Sequence, residues 1–151
     1  MRGGSRGFTV AELVMVTALI AVLAAVAIPT ARFTVKRERE AELRLALRQM
    51  RNAIDDHKRL ADQGMIQVEL GTEGYPKELD DLVKGVSIVG QQTKRRFLRR
   101  IPVDAITGKA EWGLRSYQDD PGTTSWGGQN VYDVYSLSEA TALDGTKYKD
   151  W

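Results

Sequence analysis

The sequence is dominated by one apolar segment, which begins in Arg6-Gly7-Phe8-Thr9-Val10-Ala11-Glu12 and continues to Ile28. Between Phe8 and Ile28 it contains a single charged residue, Glu12, and two threonines. Because a helix rises about 1.5 Å per residue, the segment would be roughly 30 Å long, close to the thickness of a bilayer's hydrocarbon core. The sequence therefore predicts a membrane-spanning helix over residues 8–28, with an acid near its start.

The residues around this acid resemble the leader of type IV pilin-like proteins. Residues 1–7 are short, basic and glycine-rich, Phe8 follows Gly7, and Pro29 follows the apolar segment. In that family the prepilin peptidase cuts after the glycine, and the new N-terminal phenylalanine is N-methylated. The resemblance implies cleavage between Gly7 and Phe8, methylation of Phe8, and filament assembly through Phe8, Glu12 and Pro29.

Cleavage would give the Glu12 carboxylate a partner. The new amino group on Phe8 would have a pKa near about 7.7–8 and would be largely cationic at neutral pH. In a filament, Glu12 of one subunit would neutralise the amine of a neighbour and set the axial register, since removing one member of a buried pair costs roughly 3–5 kcal/mol. The other interpretation is that Glu12 lies at headgroup level and is solvated. The motif as a whole favours the pair.

A conventional secretory signal is the competing interpretation of the N-terminus. Arg2 and Arg6 precede the apolar residues, and Ala25-Val26-Ala27 has the A-x-A form of a signal-peptidase site. Everything before Ile28 would then be removed, leaving a secreted binding domain. The apolar run is longer than the usual signal core of about 7–15 residues and contains an acid, so the pilin-like leader is favoured.

Charge and cysteine content restrict the class of protein. The formal charge is +2, but Arg2 and Arg6 supply both units, and the remaining chain is balanced. There is no cysteine, so an exported domain would depend on its core, a metal ion or its neighbours. Many type IV pilins carry a C-terminal cysteine pair, and its absence favours the pseudopilin branch.

The distribution of basic residues conflicts with the orientation that the resemblance implies. Five basic residues follow the apolar segment: Arg32, Lys36, Arg37, Arg39 and Arg44. Taken alone, the positive-inside rule would place this side in the cytoplasm. The resemblance implies the opposite, a single-pass protein of the bacterial inner membrane with its head in the periplasm. Interleaved acids weaken the first argument, and the resemblance is preferred.

A second half-helix is expected beyond Pro29, which should kink or locally melt the helix. Apolar residues then recur at three- and four-residue steps: Leu43, Ala46, Leu47, Met50, Ala53, Ile54 and Leu60. This pattern predicts one helix from about Thr9 to Ala61, ending near Gly64, whose second half, residues 29–62, is amphipathic.

Polar residues of this half-helix are predicted to face solvent. Glu40 with Arg44, and Asp55 with Arg59, have the i,i+4 spacing of ion pairs on an outer face. His57 is the single histidine and has no accompanying cysteine or carboxylate cluster. It is therefore predicted to be a surface residue of the helix, neither a metal ligand nor a general base.

Residues 63–151 are predicted to form a globular head with a short helix, an antiparallel β-sheet and a C-terminal loop. The helix would begin at Pro76 and present an apolar face made by Leu79, Leu82 and Val83. Glu111–Tyr117 and Val131–Ser136 are rich in β-forming residues and predict two strands. Trp126, in the loop between them, either covers the core or contacts a neighbour, and the first is the default.

The densest basic cluster surrounds two apolar residues, Phe97 and Leu98. Its members are Lys94, Arg95, Arg96, Arg99 and Arg100. Binding to nucleic acid is one interpretation. Because the charge is otherwise balanced and stacking aromatics are lacking, a solvated helix face, or contacts to acids of a neighbouring molecule, is favoured.

The head resembles that of the major pseudopilin of type II secretion. The similarity rests on Gly74-Tyr75-Pro76 followed by spaced leucines, and on Ile101-Pro102-Val103-Asp104 before a turn at Gly108. That family usually has a proline after the aspartate, where this chain has Ala105. The resemblance implies an α+β, pilin-like lollipop, in which the long helix packs on a small antiparallel sheet.

Major pseudopilins close their C-terminal loop around calcium, which takes about six to eight oxygen ligands. The resemblance implies that Glu139, Asp144 and Asp150, with the Leu137 carbonyl, could bind calcium here. The alternative is a metal-free loop, in which Asp144-Gly145 forms a turn and two aromatic residues, Tyr148 and Trp151, pack on the sheet.

No catalytic constellation is visible in the sequence, and no enzymatic activity is expected. The resemblance implies a structural subunit of a helical homo-oligomer, the pseudopilus of type II secretion, which drives protein export. Its implied partners are the prepilin peptidase, an inner-membrane assembly platform, minor pseudopilins and the membrane, with no nucleic acid. The alternative within the class is a type IV pilus subunit for motility, adhesion or DNA uptake.

Overall fold

The computed structural model describes residues 7–151, apart from the side chains at positions 26 and 28–30. The chain is α+β and divides into two compact units, Met1–Glu38 and Arg39–Trp151. Residues 1–6, which make up most of the predicted leader, lie outside the described part. Within the described residues, no helix is both long enough and apolar enough to cross a membrane.

The first helix, α1, begins at Val10 and ends at Asp62, close to the predicted bounds. Thr9 caps its start, since the threonine side-chain oxygen accepts a hydrogen bond of 3.2 Å from the Glu12 amide. The helix is assigned through position 29, where the sequence predicts a kink or local melting. The Pro29 side chain lies outside the described residues.

The end of α1 is set by a glycine. Gly64 has a φ of +67°, its N–H donates to the Ala61 carbonyl at 2.9 Å, and the Met65 N–H donates to the Leu60 carbonyl at 3.0 Å. These two bonds form the Schellman arrangement, in which a residue with positive φ satisfies the last helical carbonyls. The predicted end near Gly64 is confirmed.

In the unit Arg39–Trp151, α1 contributes one side of the core. Its residues in the core cluster are Leu43, Ala46, Leu47, Met50, Ala53 and Ile54. The side chains packed against them are Leu82, Trp112, Val131, Val134, Ala142 and Tyr148. The predicted apolar stripe is confirmed, although Leu60, at its end, is only half-buried.

Two polar residues that were predicted to face solvent are buried. Glu40 lies three residues before Leu43 and His57 three residues after Ile54, so both belong to the apolar stripe, and each exposes under a tenth of its surface. The predicted surface location of His57 was wrong. The periodicity that predicted the core also includes these two positions.

The two ion pairs predicted along α1 were also wrong, because each arginine pairs with a different acid. Arg44 lies 3.4 Å from Asp144 in the C-terminal segment, because Glu40 faces the core. Arg59 pairs with Asp56 at 2.6 Å, with i,i+3 spacing, in place of Asp55. Both observed pairs are exposed and contribute little to stability.

The head contains two separate two-stranded antiparallel sheets where one sheet was predicted. Strand β1 (Val86–Ser87) pairs with β2 (Lys94–Arg95), and β3 (Gly113–Arg115) pairs with β4 (Asp133–Tyr135). The last two confirm the two predicted strands, in shorter form. The ladder ends early because the Val131 N–H donates to a loop carbonyl, that of Pro76, at 2.8 Å.

The short helix, α2, covers Asp81–Lys84, so the predicted start at Pro76 was wrong. Leu82 of this helix is fully buried, and its carbonyl accepts hydrogen bonds of 2.9 Å from both the Phe97 and Leu98 N–H groups. These bonds hold the chain after β2 against α2. The basic cluster therefore lies on a strand and on an irregular segment with bends, and the predicted helix face was wrong.

Trp126 is exposed and is not part of the core, so it does not act as the predicted lid. Its indole N–H donates to the Asn130 carbonyl at 2.8 Å. The Tyr135 hydroxyl donates to the Thr124 carbonyl at 3.2 Å. These two bonds fasten the loop that joins β3 to β4.

Candidate functional site

The predicted cleavage site lies just before the first turn of α1. Gly7 and Phe8 are non-helical and exposed, and Phe8 exposes 80% of its surface. Apart from its chain neighbours, no atom of the described residues lies within 4 Å of the place that a Cβ on Gly7 would occupy. Among the described residues, nothing covers the bond between Gly7 and Phe8.

Glu12 has a local role that the sequence analysis overlooked. It is the third residue of α1, and its amide is bonded to the side chain of Thr9, the N-cap. Thr9-x-x-Glu12 is the spacing of a capping box. An acid in the first turn also interacts favourably with the helix dipole, by about 0.3–1 kcal/mol. Glu12 therefore favours the start of the helix without any neighbouring molecule.

The Glu12 carboxylate is exposed and has no hydrogen-bond or ion-pair partner among the described residues. Thr17, in contrast, satisfies its hydroxyl within the helix by donating to the carbonyls of Leu13 and Val14 at 3.0 and 2.9 Å. With Thr9 engaged as the cap, Glu12 is the one unsatisfied polar side chain among the described residues 8–25.

The rest of this segment is apolar and uncovered in the single chain. Ten large apolar side chains expose 44–80% of their surface. They are Phe8, Val10, Leu13, Val14, Met15, Val16, Leu19, Ile20, Val22 and Leu23. Because they follow one another through every face of the helix, no face is reserved for a protein core.

Two of the residues predicted to bind calcium, Asp144 and Glu139, have other partners. Asp144 pairs with Arg44 and accepts hydrogen bonds from the Thr146 hydroxyl at 2.6 Å and amide at 3.0 Å. These Thr146 bonds, more than the nearby Arg44, hold the pKa of Asp144 below its usual value. Glu139 lies 3.4 Å from Lys149.

The predicted calcium ligands are not brought together as a metal site. Asp150 lies in the 3₁₀ helix Tyr148–Asp150, and Leu137 is exposed. Within the described part of the chain, no group of three or more histidine, cysteine, aspartate or glutamate side chains could hold a metal ion. Calcium requires about six to eight oxygens, and the residues present do not fit it.

Hydrogen bonds to α1 hold the C-terminal loop in place. The buried Glu40 carboxylate accepts from the Leu143 amide at 2.8 Å and from the Tyr148 hydroxyl at 2.9 Å, through the same oxygen. Burial, together with the hydrogen bond to Glu40, raises the pKa of Tyr148 to about 12. The loop is therefore tied to the helix by the protein's own carboxylate.

Arg51 is the second attachment of this loop. Its Nε donates to the Asp133 carboxylate at 2.7 Å, and its Nη2 donates to the carbonyls of Val134 at 3.1 Å and Trp151 at 2.8 Å. One guanidinium thus joins α1, β4 and the last residue of the sequence. The planar fork of arginine suits this role, which a lysine could not reproduce.

Aromatic packing completes the loop. Tyr148 is buried and meets the Trp151 ring edge-on at 5.1 Å, while the Arg44 guanidinium lies 4.3 Å from the centre of that ring. Gly145, with a φ of +87°, forms a turn with Asp144. The predicted turn and the predicted packing of the two aromatic residues are confirmed.

His57 is buried and contacts two other segments of the head. Its Nδ1 lies 3.1 Å from the Gly74 carbonyl, so the neutral ring donates there, and the Phe97 ring centre is 5.4 Å away. Burial lowers the pKa of His57, opposed by the bond to Gly74 and by the charge of Asp81. The neutral imidazole acts as a structural donor.

Comparisons with protein-family models, curated proteins and solved structures found no match for the chain.

Proposed function

We propose that this chain is a structural subunit of a pilin-like filament, the major pseudopilin of a type II secretion system. In this proposal the prepilin peptidase cuts between Gly7 and Phe8 and methylates Phe8. Residues 8–28 anchor the subunit in the bacterial inner membrane, with the head in the periplasm. An assembly platform then draws subunits, with minor pseudopilins, into a filament that drives protein export.

The observation that carries the proposal is the exposed apolar segment with a single unsatisfied carboxylate at its start. Soluble monomers rarely expose a contiguous apolar patch of more than a few hundred Å². In the sequence the apolar run continues through residues 26–28, whose side chains are not all described. Such a surface is stable when lipid, or copies of the same segment, cover it on all sides.

The position of Glu12 fits a filament better than it fits lipid alone. Processing would create an amine on Phe8, directly before the Thr9 cap, so each subunit would carry a cation and an anion within one helical turn. Neighbouring subunits offset along the axis would then pair one group with the other among apolar side chains. This pair would align successive subunits.

Variants of Glu12 separate the pairing role from the capping role. Glu12→Gln removes the charge but keeps the bond to the Thr9 side chain, because the backbone amide of residue 12 donates it, and glutamine is accepted at this position of a capping box. If Glu12 only caps α1, Glu12→Gln would assemble normally and Thr9→Ala would be the more harmful change. The proposal predicts that Glu12→Gln prevents filament formation in cells, that Glu12→Asp keeps part of it, and that Thr9→Ala has a smaller effect.

Filaments recovered by sedimentation and electron microscopy, together with membrane levels of each variant, give the readout. Wild-type assembly of the Glu12→Gln variant would contradict the pairing role. Loss of protein export in a deletion strain, restored by the full chain, supports the secretion role. Loss of twitching or of surface fibres, with normal export, would instead indicate a type IV pilus subunit.

A further inference from the structure

One leucine of the head lies entirely in solvent, on a loop. Leu70 is 104% exposed relative to its reference state. Its loop, residues 67–73, is nevertheless fixed: the Thr72 hydroxyl donates to the Glu69 carbonyl at 2.9 Å, and Gln118 donates to the Gly71 carbonyl at 3.3 Å. An apolar side chain presented on a fixed turn suits contact with another surface.

The same head carries an open groove of about 760 Å³ between α1 and residues 97–105. Its apolar lining includes Ala53, Leu98 and Val103, of which Val103 exposes 56% of its surface. The volume lies within the range of about 300–1,000 Å³ that is typical of ligand pockets, so a leucine side chain can be accommodated.

Charges at the two surfaces are complementary. Glu69 and Glu73 flank Leu70 and are exposed; Glu69 is already paired with Lys77 at 3.0 Å, so Glu73 is the acid available to a partner. Arg99 and Arg100 line the groove, are exposed, and have no ion-pair partner in the described part of the chain. Complementary charge speeds the encounter of two surfaces and fixes their orientation.

Acids on the α1 side of the groove restrict how a loop can enter. Glu42 and Asp56 line that wall, and Asp56 is already paired with Arg59 at 2.6 Å. A loop that carries glutamates must therefore place them toward the opposite, arginine-lined wall. The groove accepts an acidic, leucine-bearing loop in one orientation.

We propose that this groove binds the Leu70 loop of a second copy of the chain. The two surfaces are different parts of one head, so the contact is heterologous: each copy offers its loop to one neighbour and its groove to another. Contacts of this kind continue into a filament or ring and do not close as a simple dimer. The proposal rests on the filament proposed above and identifies the contact between its heads.

Disulfide cross-linking tests the contact cleanly, because the chain has no cysteine. The full chain is expressed in cells with Leu70→Cys and Val103→Cys together, oxidised, and separated without reducing agent. The matched control combines Leu70→Cys with Leu137→Cys, since Leu137 is 50% exposed but lies outside the groove. Sedimentable filaments are measured in the same samples.

The expected result is a ladder of dimers, trimers and longer chains when Leu70→Cys is combined with Val103→Cys, and no ladder in the control. Adding Arg99→Glu should weaken the ladder, and adding Glu73→Arg as well should restore it. Three results would contradict the proposed head contact but leave the proposed filament intact. They are a product that stops at the dimer, a cross-link to a different protein, and the absence of a cross-link while filaments still form. If wild type itself forms no filament, the proposed function fails, and the head contact fails with it.

Discussion

The Tyr148 hydroxyl donates a 2.9 Å hydrogen bond to the buried Glu40 carboxylate, joining residues that are 108 positions apart in the chain. The same carboxylate oxygen accepts the Leu143 amide. Burying a carboxylate lowers the stability of the fold unless its oxygens accept hydrogen bonds. Here the C-terminal loop donates these hydrogen bonds to Glu40. The loop and α1 therefore stabilise each other through these hydrogen bonds.

Replacing Tyr148 by phenylalanine should destabilise the head. The hydroxyl bond to a charged group is worth about 1.5–3 kcal/mol, and its loss leaves Glu40 with only the Leu143 amide. Thermal unfolding of the full chain measures the effect. Tyr117→Phe is the control, because Tyr117 is exposed and its ring contacts leave the hydroxyl outside any described hydrogen bond. Equal loss in both variants would contradict the role of Glu40.

Arg51→Lys should lower the free energy of unfolding by about 1.5–3 kcal/mol, because lysine cannot bond Asp133 and the Trp151 carbonyl at once. Arg48→Lys is the matched control, since Arg48 lies one turn away, is exposed, and has no described partner. Denaturant titration compares the two. A change at Arg48 as large as that at Arg51 would show that the guanidinium network is not what holds the loop.

His57 should make the fold less stable as the pH falls below about 6.5, the ordinary histidine value. Burial lowers the pKa of His57, so over this range the unfolded chain binds more protons than the folded chain, and stability rises with pH. Because this is the only histidine, the slope should disappear in His57→Leu. Denaturation between about pH 5 and about pH 7.5, which brackets the ordinary value, tests this together with proton NMR of the imidazole. An NMR midpoint at or above the ordinary value would contradict the burial.

Gly113→Ala should destabilise the head by about 1–3 kcal/mol, because an added Cβ would overlap the ring of Tyr135, its partner across the sheet. That ring cannot move freely, since Arg115 lies 4.5 Å above it and its hydroxyl is bonded. In a Tyr135→Ala background the same substitution should cost much less. An equal cost in both backgrounds would exclude the ring as the cause.

Calcium should neither stabilise the head nor be required for its folding. Two of the three carboxylates predicted as ligands are engaged: Asp144 with Arg44 and Thr146, and Glu139 with Lys149. Thermal unfolding in excess EDTA and in millimolar calcium should therefore give the same midpoint. A calcium-dependent rise in the midpoint, abolished by Asp144→Asn, would show that these side chains rearrange into a metal site.

Periodicity and turn residues were sufficient to predict much of the fold. The spacing of Leu43, Leu47, Met50 and Ile54 located the buried face, and Gly64 located the end of α1, because both depend on local geometry. The strands β3 and β4 followed from their β-forming residues.

The structural predictions that were wrong concerned residues whose contacts are distant in sequence. Glu40 was assigned to solvent because its charge outweighed its position on the stripe, and its partners lie more than a hundred residues away. The strand β2 could not be recognised from its basic residues, since pairing with β1 determines its conformation. The cap formed by Thr9 was available from the sequence and was overlooked.

The mature N-terminus tests the central claim most directly. Intact mass and N-terminal sequencing of the full chain, expressed in cells with a prepilin peptidase, would show where it begins. The account predicts a start at N-methylated Phe8, which keeps the exposed apolar segment and Glu12. A start at or after Ile28, or an uncut chain, would contradict a pilin-like subunit.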